Sequence, residues 1–230
     1  MSVAENVERV QQRIRRACDR SGRSVEDVRL IAVSKTMPAE SVRQAYAAGL
    51  REFGENRVQE AASKRQALPD LDAVWHLIGH LQSNKAKQAC ELFDWIHSLD
   101  SLHLAERIDR PAAALGRKLP VLIEVHLGEE ASKFGVEEDE LARLAEQVGA
   151  LPSLELRGLM TLPPFFDNPE DARPFFRHLR ELAARIEARK LPGVSMRELS
   201  MGMSHDFEIA IEEGATLVRV GTAIFGARQS

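Results

Sequence analysis

The stretch Val28-Arg29-Leu30-Ile31-Ala32-Val33-Ser34 opens the pattern that decides the fold, and Lys35-Thr36-Met37-Pro38 follows it directly. Its β-branched and aliphatic residues are typical of an interior strand of a parallel sheet. Pro38 suits the first turn of a new helix, because a helix leaves its first N–H groups without partners in any case. The stretch therefore predicts a strand–helix unit, with Lys35 at the carboxyl end of the strand.

Strand-like and helix-like segments alternate along the rest of the chain. After an amphipathic helix over about residues 3–21, the pattern predicts strands near residues 28–34, 50–54, 73–78, 93–98, 120–126, 154–159, 196–200 and 216–220. Helical spacing of apolar residues separates them, for example over residues 138–148 and 174–190. Eight strands, each followed by a helix, favour an α/β fold that closes into a (β/α)8 barrel of the TIM type with an extra N-terminal helix. An open doubly wound sheet is the alternative. No linker cuts residues 1–230, so one domain is expected.

Composition narrows the function classes. The chain is 44% hydrophobic and 29% charged, as in an ordinary globular protein, and its net charge of −4 comes from interspersed acids and bases. Such a surface has no extended positive electrostatic potential that would attract nucleic acid or an anionic membrane, so neither is expected as a partner. No apolar run approaches the length of a membrane span, and the N-terminus with Glu5 and Glu8 lacks the core of a signal peptide. We therefore expect a cytoplasmic protein.

The two cysteines, Cys18 and Cys90, are far apart and show neither a CxxC motif nor a Cys/His ligand spacing. The histidines are scattered, without an HExxH pair. Reduced structural thiols and no metal are expected.

Residues that directly follow the strands of such a barrel share one rim, where active sites are built. Lys35 is the first of them, and a partly desolvated amine at this place has a lowered pKa and acts as a nucleophile toward an aldehyde. The alternative is a solvated lysine at a strand end.

The ends of strands seven and eight carry small hydrogen-bonding residues, in Ser200-Met201-Gly202-Met203-Ser204 and Arg219-Val220-Gly221-Thr222. In barrels these two loops commonly form a phosphate site, where backbone N–H groups converge and a hydroxyl donates to a phosphate oxygen. The alternative is that the glycines serve tight turns and Thr222 caps a helix. Ser204 or Asp206 is placed to cap the helix that follows strand seven.

A lysine facing a phosphate site is the arrangement that pyridoxal 5′-phosphate (PLP) requires, with the aldehyde at the amine and the ring between. Arg219, if it points into the barrel mouth, faces the pyridine nitrogen. Because arginine cannot accept a proton, it keeps that nitrogen unprotonated. The alternative is an internal salt bridge of Arg219 with Glu198 or Glu124.

Six motifs resemble the pyridoxal phosphate homeostasis protein family. They are Val33-Ser34-Lys35-Thr36, residues 53–60, the stretch WHLIGHLQSNK over residues 75–85, Gly158-Leu159-Met160-Thr161, residues 199–204 and residues 218–226. The resemblance implies a single barrel similar to the N-terminal domain of alanine racemase that binds PLP covalently without an established catalytic activity.

The same resemblance assigns roles to seven residues. Lys35 resembles the Schiff-base lysine, and Arg219 resembles the partner of the ring nitrogen. Ser200, Gly221 and Thr222 resemble phosphate contacts, with backbone help from Met201. Asn56 resembles a pocket residue near the cofactor.

The chain departs from the family at the end of strand five, where Glu124-Val125-His126 stands in place of a usual Asn. This puts the local polar contact in doubt but leaves the Schiff base unaffected. Lys133 and Gly135 fit the family, in a loop that either closes over the site or forms a charged surface turn. His76 and His80, which flank strand three, are expected to be structural.

Three functions compete: a PLP carrier or regulator, a PLP-dependent racemase, and a sugar-phosphate barrel with an aldolase-type lysine. A two-base racemase needs an acid or base opposite the lysine, and the only tyrosine, Tyr46, falls in the first barrel helix. The chain is also too short for that family's additional β domain, and the aldolase reading does not match the motifs. The carrier is favoured, with PLP and PLP-dependent apo-enzymes as partners. The mixed surface charge is compatible with a monomer.

Overall fold

The computed structural model describes residues 2–128 and 134–226. Over these residues eight parallel strands follow one another in chain order and close into a barrel, because β1 pairs with both β2 and β8. The strands are β1 (Arg29–Val33), β2 (Glu52–Glu55), β3 (Val74–Leu77), β4 (Trp95–Leu99), β5 (Leu119–Glu124), β6 (Leu154–Met160), β7 (Val194–Ser200) and β8 (Leu217–Val220). The predicted (β/α)8 barrel is confirmed, with every predicted strand in place.

Helices cover the outside of the barrel and connect consecutive strands. They are α1 (Val3–Ser21), α2 (Ala39–Ala47), α3 (Val58–Ala67), α4 (Ala86–Leu92), α5 (Leu102–Ala114), α6 (Glu138–Gly149), α7 (Arg173–Ala188), α8 (Phe207–Glu212) and α9 (Thr222–Phe225). Short 3-10 turns lie at Val25–Asp27, Ser83–Lys85 and Pro169–Ala172. None of these helices is long and apolar enough to cross a membrane.

The extra N-terminal helix α1 is confirmed over its predicted length. Ser2 and Glu5 form a capping box at its start, and Gly22 ends it with a left-handed φ of 67°. Its apolar face, which includes Val10 and Ile14, packs against α2, α8 and α9. Helix α1 therefore covers the seam where β8 meets β1.

The larger apolar core lies between the strands and the helices. It joins strand residues such as Phe53 and Ile96 to helix residues such as Val42 and Ala61, all fully buried. Cys18 and Cys90 belong to this core as free thiols, as predicted, and burial raises the pKa of the Cys90 thiol to about 11. A thiol held protonated in this way is inert at neutral pH.

A second, small cluster fills part of the barrel interior. Ile31, Leu122, Met160 and Leu217 come from strands on opposite sides of the barrel, so they meet only inside it. Gly54 is needed beside them, because a Cβ there would lie 2.9 Å from Ile31 Cγ2. Barrel interiors are usually filled with such bulky aliphatic residues. Here, polar side chains share the interior, and they matter for the site.

Candidate functional site

A pocket of about 280 Å³ opens at the carboxyl ends of β1 and β8, at the small end of ligand pockets, which start at roughly 300 Å³. This rim pocket is lined by Val33, Lys35, Asn56, Ile78, Leu162, Phe165, Met203, Ser204, His205, Arg219, Gly221 and Thr222. It brings together five of the seven predicted cofactor residues, namely Lys35, Asn56, Arg219, Gly221 and Thr222. A larger depression of about 590 Å³ between α2 and α3 contains neither Lys35 nor Arg219.

A tight turn presents Lys35 to the rim pocket. The Met37 N–H donates to the Ser34 carbonyl at 2.9 Å, which places Lys35 and Thr36 at the two corners of the turn. Thr36 has a φ of 65°, a left-handed conformation that a β-branched residue adopts only when its surroundings impose it. Its N–H donates to the Glu60 carboxylate at 3.0 Å. Helix α3 therefore holds the turn that carries the lysine.

A buried ion pair lies directly beneath this turn. Lys64 Nζ lies 2.5 Å from Glu55 Oε1 and 2.5 Å from the Ser34 carbonyl oxygen, and the Ser34 hydroxyl donates to Glu55 Oε1 at 2.6 Å. Burial raises the pKa of the Glu55 carboxyl, while the hydrogen bonds from Lys64 and Ser34 oppose that shift. This network ties β1, β2 and α3 together at the residue that precedes Lys35. Sequence reasoning missed it, although an acid that ends a strand and a lysine on the next helix gave a signal.

Arg219 extends from β8 into the rim pocket and is only 3% exposed. Its Nη1 donates to the Ser200 hydroxyl at 2.6 Å and its Nη2 donates to the Thr161 carbonyl at 2.9 Å. Burial lowers the pKa of the guanidinium to about 10, so it remains charged at neutral pH. Glu198 pairs with Arg29 at 3.0 Å instead of with Arg219. The charge of Glu124, the other acid in that alternative, does act on Arg219 and raises its pKa against the effect of burial.

The loops after β7 and β8 meet through Ser204. Its hydroxyl accepts from the Gly221 N–H at 3.1 Å and from the Ala223 N–H at 3.3 Å. No side-chain hydrogen bond caps α8, so the expectation that Ser204 or Asp206 does so is wrong. The Asp206 carboxylate instead accepts from the Met203 N–H at 2.6 Å, within its own loop. Two backbone donors and one hydroxyl are thus gathered beside Thr222.

Ser200 and Met201 do not line the rim pocket. Both are fully buried, and the Met201 N–H donates to the Leu217 carbonyl at 3.1 Å within the sheet. The Ser200 hydroxyl lies between Arg219 Nη1 and His97 Nδ1, 2.9 Å from the latter. Ser200 therefore contacts the site through Arg219.

Asn56 is held at the pocket wall by a close approach of two loops. A Cβ on Gly79 would lie 2.5 Å from the Asn56 carbonyl oxygen, so only glycine allows this approach. The approach explains why a glycine stands in the motif that follows β3.

The other histidines and Tyr46 occupy different positions. His80 stacks on Phe134 with ring centroids 3.8 Å apart, and His126 Nδ1 lies 2.9 Å from Glu137 Oε1. Tyr46 lies in α2, where the Arg51 guanidinium covers its ring at 3.9 Å. Sequence reasoning missed His205, which lines the rim pocket and has Nε2 at 3.1 Å from the Asp167 carbonyl oxygen. Lys133 lies outside the described residues.

Comparison with known proteins places the chain among its relatives. A family model described as the alanine racemase N-terminal domain matches residues 5–229. A pyridoxal phosphate homeostasis protein of Aquifex aeolicus is 49% identical over 229 residues, covering 100% of both chains. One of Pseudomonas aeruginosa is 47% identical, covering 99% of this chain and 96% of its own. The chain belongs to the pyridoxal phosphate homeostasis protein family.

Solved structures agree with this family assignment. PipY of Synechococcus elongatus with PLP bound is 44% identical, with a TM-score of 0.87 over 98% of this chain and 100% of its own. An alanine racemase of Clostridium difficile is only 15% identical, with a TM-score of 0.78 over 57% of its length. That second likeness shows the barrel fold alone.

Proposed function

We propose that this protein binds PLP in the rim pocket and serves as a carrier or regulator in PLP homeostasis. One observation carries the proposal: Lys35 and Arg219 face the same small pocket from the neighbouring strands β1 and β8. The names of the curated relatives and the PLP bound by PipY point the same way.

The residues of the pocket fit the chemistry of this cofactor. When bound, PLP supplies an aldehyde that condenses with an amine and releases one water molecule. Lys35 supplies the amine for a Schiff base. Arg219 supplies a charged N–H donor for the ring nitrogen and, because it cannot accept a proton, keeps that nitrogen unprotonated.

The phosphate group belongs beside Gly221 and Thr222. The Gly221 and Ala223 N–H groups already point at one oxygen, that of Ser204, and the Thr222 side chain is exposed next to them. A Cβ on Gly221 would lie 3.2 Å from the Val33 carbonyl oxygen, so a side chain there would crowd β1. We assign Ser204 to this phosphate site and give Ser200 and Met201 supporting roles behind it.

A non-catalytic role is favoured over racemisation. Racemisation by two bases needs a second acid or base across the cofactor from Lys35. Among the described lining residues the other ionisable side chains are Arg219 and His205. Arg219 stays protonated, and His205 is exposed, with Nε2 on the Asp167 carbonyl oxygen. Neither is placed as a buried base.

The proposal also covers the domain organisation, the exchange partners, the oligomeric state and the cellular compartment. We propose that residues 1–230 act as one cofactor-binding domain, that PLP-dependent apo-enzymes exchange the cofactor with it, and that it works as a monomer in the cytoplasm. The two free buried thiols and the interspersed surface charges support this setting.

A binding titration tests the proposal. PLP added to the purified protein should produce the visible absorption band of a Schiff base with saturation at one equivalent, and Lys35→Ala should abolish the band. Lys87→Ala, which changes an exposed lysine on α4, should leave it intact. Absence of the band in the unmodified protein, or its retention in Lys35→Ala, would overturn the proposal.

A further inference from the structure

A chain of polar side chains crosses the barrel interior beneath the rim pocket. It runs from Arg219 Nη1 to Ser200 Oγ (2.6 Å), from Ser200 Oγ to His97 Nδ1 (2.9 Å), and from His97 Nε2 to His76 Nδ1 (3.0 Å). His76 Nε2 then lies 2.8 Å from Glu52 Oε2, a contact that is close but not aligned as a hydrogen bond. We call these five residues the interior chain.

The donors of the interior chain all point the same way. A guanidinium only donates hydrogen bonds, so the Ser200 hydroxyl oxygen accepts from Arg219. The single proton of the Ser200 hydroxyl is then donated to His97 Nδ1. His97 then carries its proton on Nε2 and donates to His76 Nδ1. His76 carries its proton on Nε2, toward a carboxylate that only accepts. The positive charge of Arg219 at one end and the negative charge of Glu52 at the other therefore favour the same direction of donation, from Arg219 toward Glu52.

Both histidines are neutral in this arrangement. His76 and His97 are fully buried, and burial lowers the pKa of each imidazole, well below its usual value for His97. The Glu52 carboxylate raises the pKa of His76, but burial outweighs it. The positive charges of Arg29 and Arg219 act on His97 in the same direction as burial. Each imidazole thus offers one donor and one acceptor, as the chain requires.

Polar groups in a barrel interior need an explanation. Well-packed aliphatic residues of similar volume are commonly at least as stable as a buried polar array, and they are the usual filling of such barrels. In this interior, two histidines, a serine and an arginine replace them, and every link except the last is a hydrogen bond. The array ends at Arg219, the one arginine among the described residues that line the rim pocket.

We propose that His97 and His76 are positioning residues, which fix the Ser200 hydroxyl so that it holds the Arg219 guanidinium toward the cofactor's ring nitrogen. The proposal rests on PLP binding in the rim pocket. Without His97, the Ser200 proton loses its acceptor, the hydroxyl turns to find another, and Arg219 loses the oxygen that orients Nη1.

Two variants of His97 separate positioning from a merely structural role. His97→Leu removes both ring contacts, whereas His97→Asn keeps an amide oxygen where Nδ1 accepts from Ser200. With PLP labelled with 15N in its ring, the unmodified protein should show an unprotonated ring nitrogen. His97→Leu should move that signal toward the protonated form and weaken PLP binding by about fivefold, the loss of one ordinary hydrogen bond. His97→Asn should recover most of both.

His103→Leu, which changes an exposed histidine on α5, is the matched control and should change neither signal. If His97→Leu does not fold, Ser200→Ala breaks the same link and should shift the ring-nitrogen signal alike. The proposal is overturned if PLP binds but His97→Leu or Ser200→Ala gives the same signal and affinity as His103→Leu.

A measurement on the cofactor-free protein tests the interior chain independently of whether the protein binds PLP. Imidazole 15N spectra of the cofactor-free protein should show both His97 and His76 protonated on Nε2 alone at neutral pH. A proton on His97 Nδ1, or a doubly protonated ring, would overturn the chain's direction. Failure of the unmodified protein to bind PLP would overturn the proposed function, and these spectra would then decide the interior chain by themselves.

Discussion

At the scale of single residues, the site depends on what each side chain can donate. Lys35 sits in a turn whose second corner, Thr36, holds a left-handed φ of 65°. Arg219 is buried but makes its two hydrogen bonds to uncharged oxygens, of Ser200 and Thr161. The backbone turn that carries Lys35 and the guanidinium of Arg219 are therefore both held in place by hydrogen bonds.

Thr222→Ala tests the phosphate contact. Loss of one hydrogen bond to a charged group should weaken PLP binding by about one to two decades, because such a bond contributes roughly 1.5–3 kcal/mol. The thermal unfolding midpoint should stay the same, since Thr222 is exposed. Equilibrium dialysis measures the affinity, and Thr222→Ser, which keeps the hydroxyl, is the control. Unchanged affinity in Thr222→Ala would mean that the phosphate is held elsewhere.

At the scale of elements, the buried pair Glu55–Lys64 fixes the start of the loop that carries Lys35. It joins the ends of β1 and β2 to α3 through Ser34. The carbonyl that Lys64 contacts belongs to the residue directly before Lys35. The ion pair therefore anchors the turn as well as the fold.

Lys64→Met should destabilise the protein strongly. It leaves the Glu55 carboxyl buried without its cation, which typically costs about 3–5 kcal/mol. The double variant Glu55→Leu/Lys64→Met should recover most of that loss, because no unpaired charge remains. Urea unfolding measures the free energies, with Lys87→Met as the control on an exposed lysine. A single variant as stable as the control would show that the pair contributes nothing.

The interior chain also makes a prediction about pH. The pKa values of His76 and His97 are lowered by burial, so the unfolded chain binds more protons than the folded one below the ordinary histidine pKa of about 6.5. The free energy of unfolding is therefore at its full value above that pH and falls as the pH drops through it, by up to ~1.4 kcal/mol per pH unit for each histidine.

Urea titrations at pH 7.5 and pH 5.5 give this slope. His97→Leu should flatten it, whereas His103→Leu should not. If the free energy of unfolding depended equally on pH in the unmodified protein, His97→Leu and His103→Leu, the assignment of neutral buried imidazoles would be contradicted. The acid sensitivity would then come from carboxylates.

At the scale of the whole molecule, the sequence predicted the barrel well because its signals are local. Runs such as residues 28–34 show apolar strand patterning, and helices such as α6 show apolar spacing and an acidic first turn. Rim residues are also predictable, since they follow strand ends. Lys35, Asn56, Gly221 and Thr222 follow strand ends and line one pocket together with Arg219, which lies within β8.

Contacts that depend on long-range geometry were beyond the sequence. His97 and Ser200 are 103 positions apart and meet only because β4 and β7 face each other across the barrel. The Ser204 hydroxyl accepts from the loop after β8 instead of capping its own helix, because the neighbouring strands β7 and β8 bring their two loops together. The expectation that His76 is structural remains a prediction, and nothing local in the sequence indicates that His76 continues a chain to Arg219.

The whole pocket also predicts a lack of catalysis. Deuterium exchange at Cα of alanine, serine or glutamate should stay well below roughly 1 s⁻¹, the low end of ordinary enzymes, because no buried base is described opposite Lys35. Chiral chromatography should find racemisation slower still, and His205→Asn should leave both rates unchanged. A rate near 1 s⁻¹ would reveal a second base, with His205, His80, His126 and Lys133 as the residues to substitute first.

The most direct measurement is covalent trapping of the cofactor. The protein is incubated with PLP, reduced with borohydride, digested and mapped by mass spectrometry. We expect one phosphopyridoxyl group, attached to Lys35, and none on the exposed Lys87. A protein that stays unmodified, or a label that falls on another lysine while Lys35 remains free, would contradict the central claim.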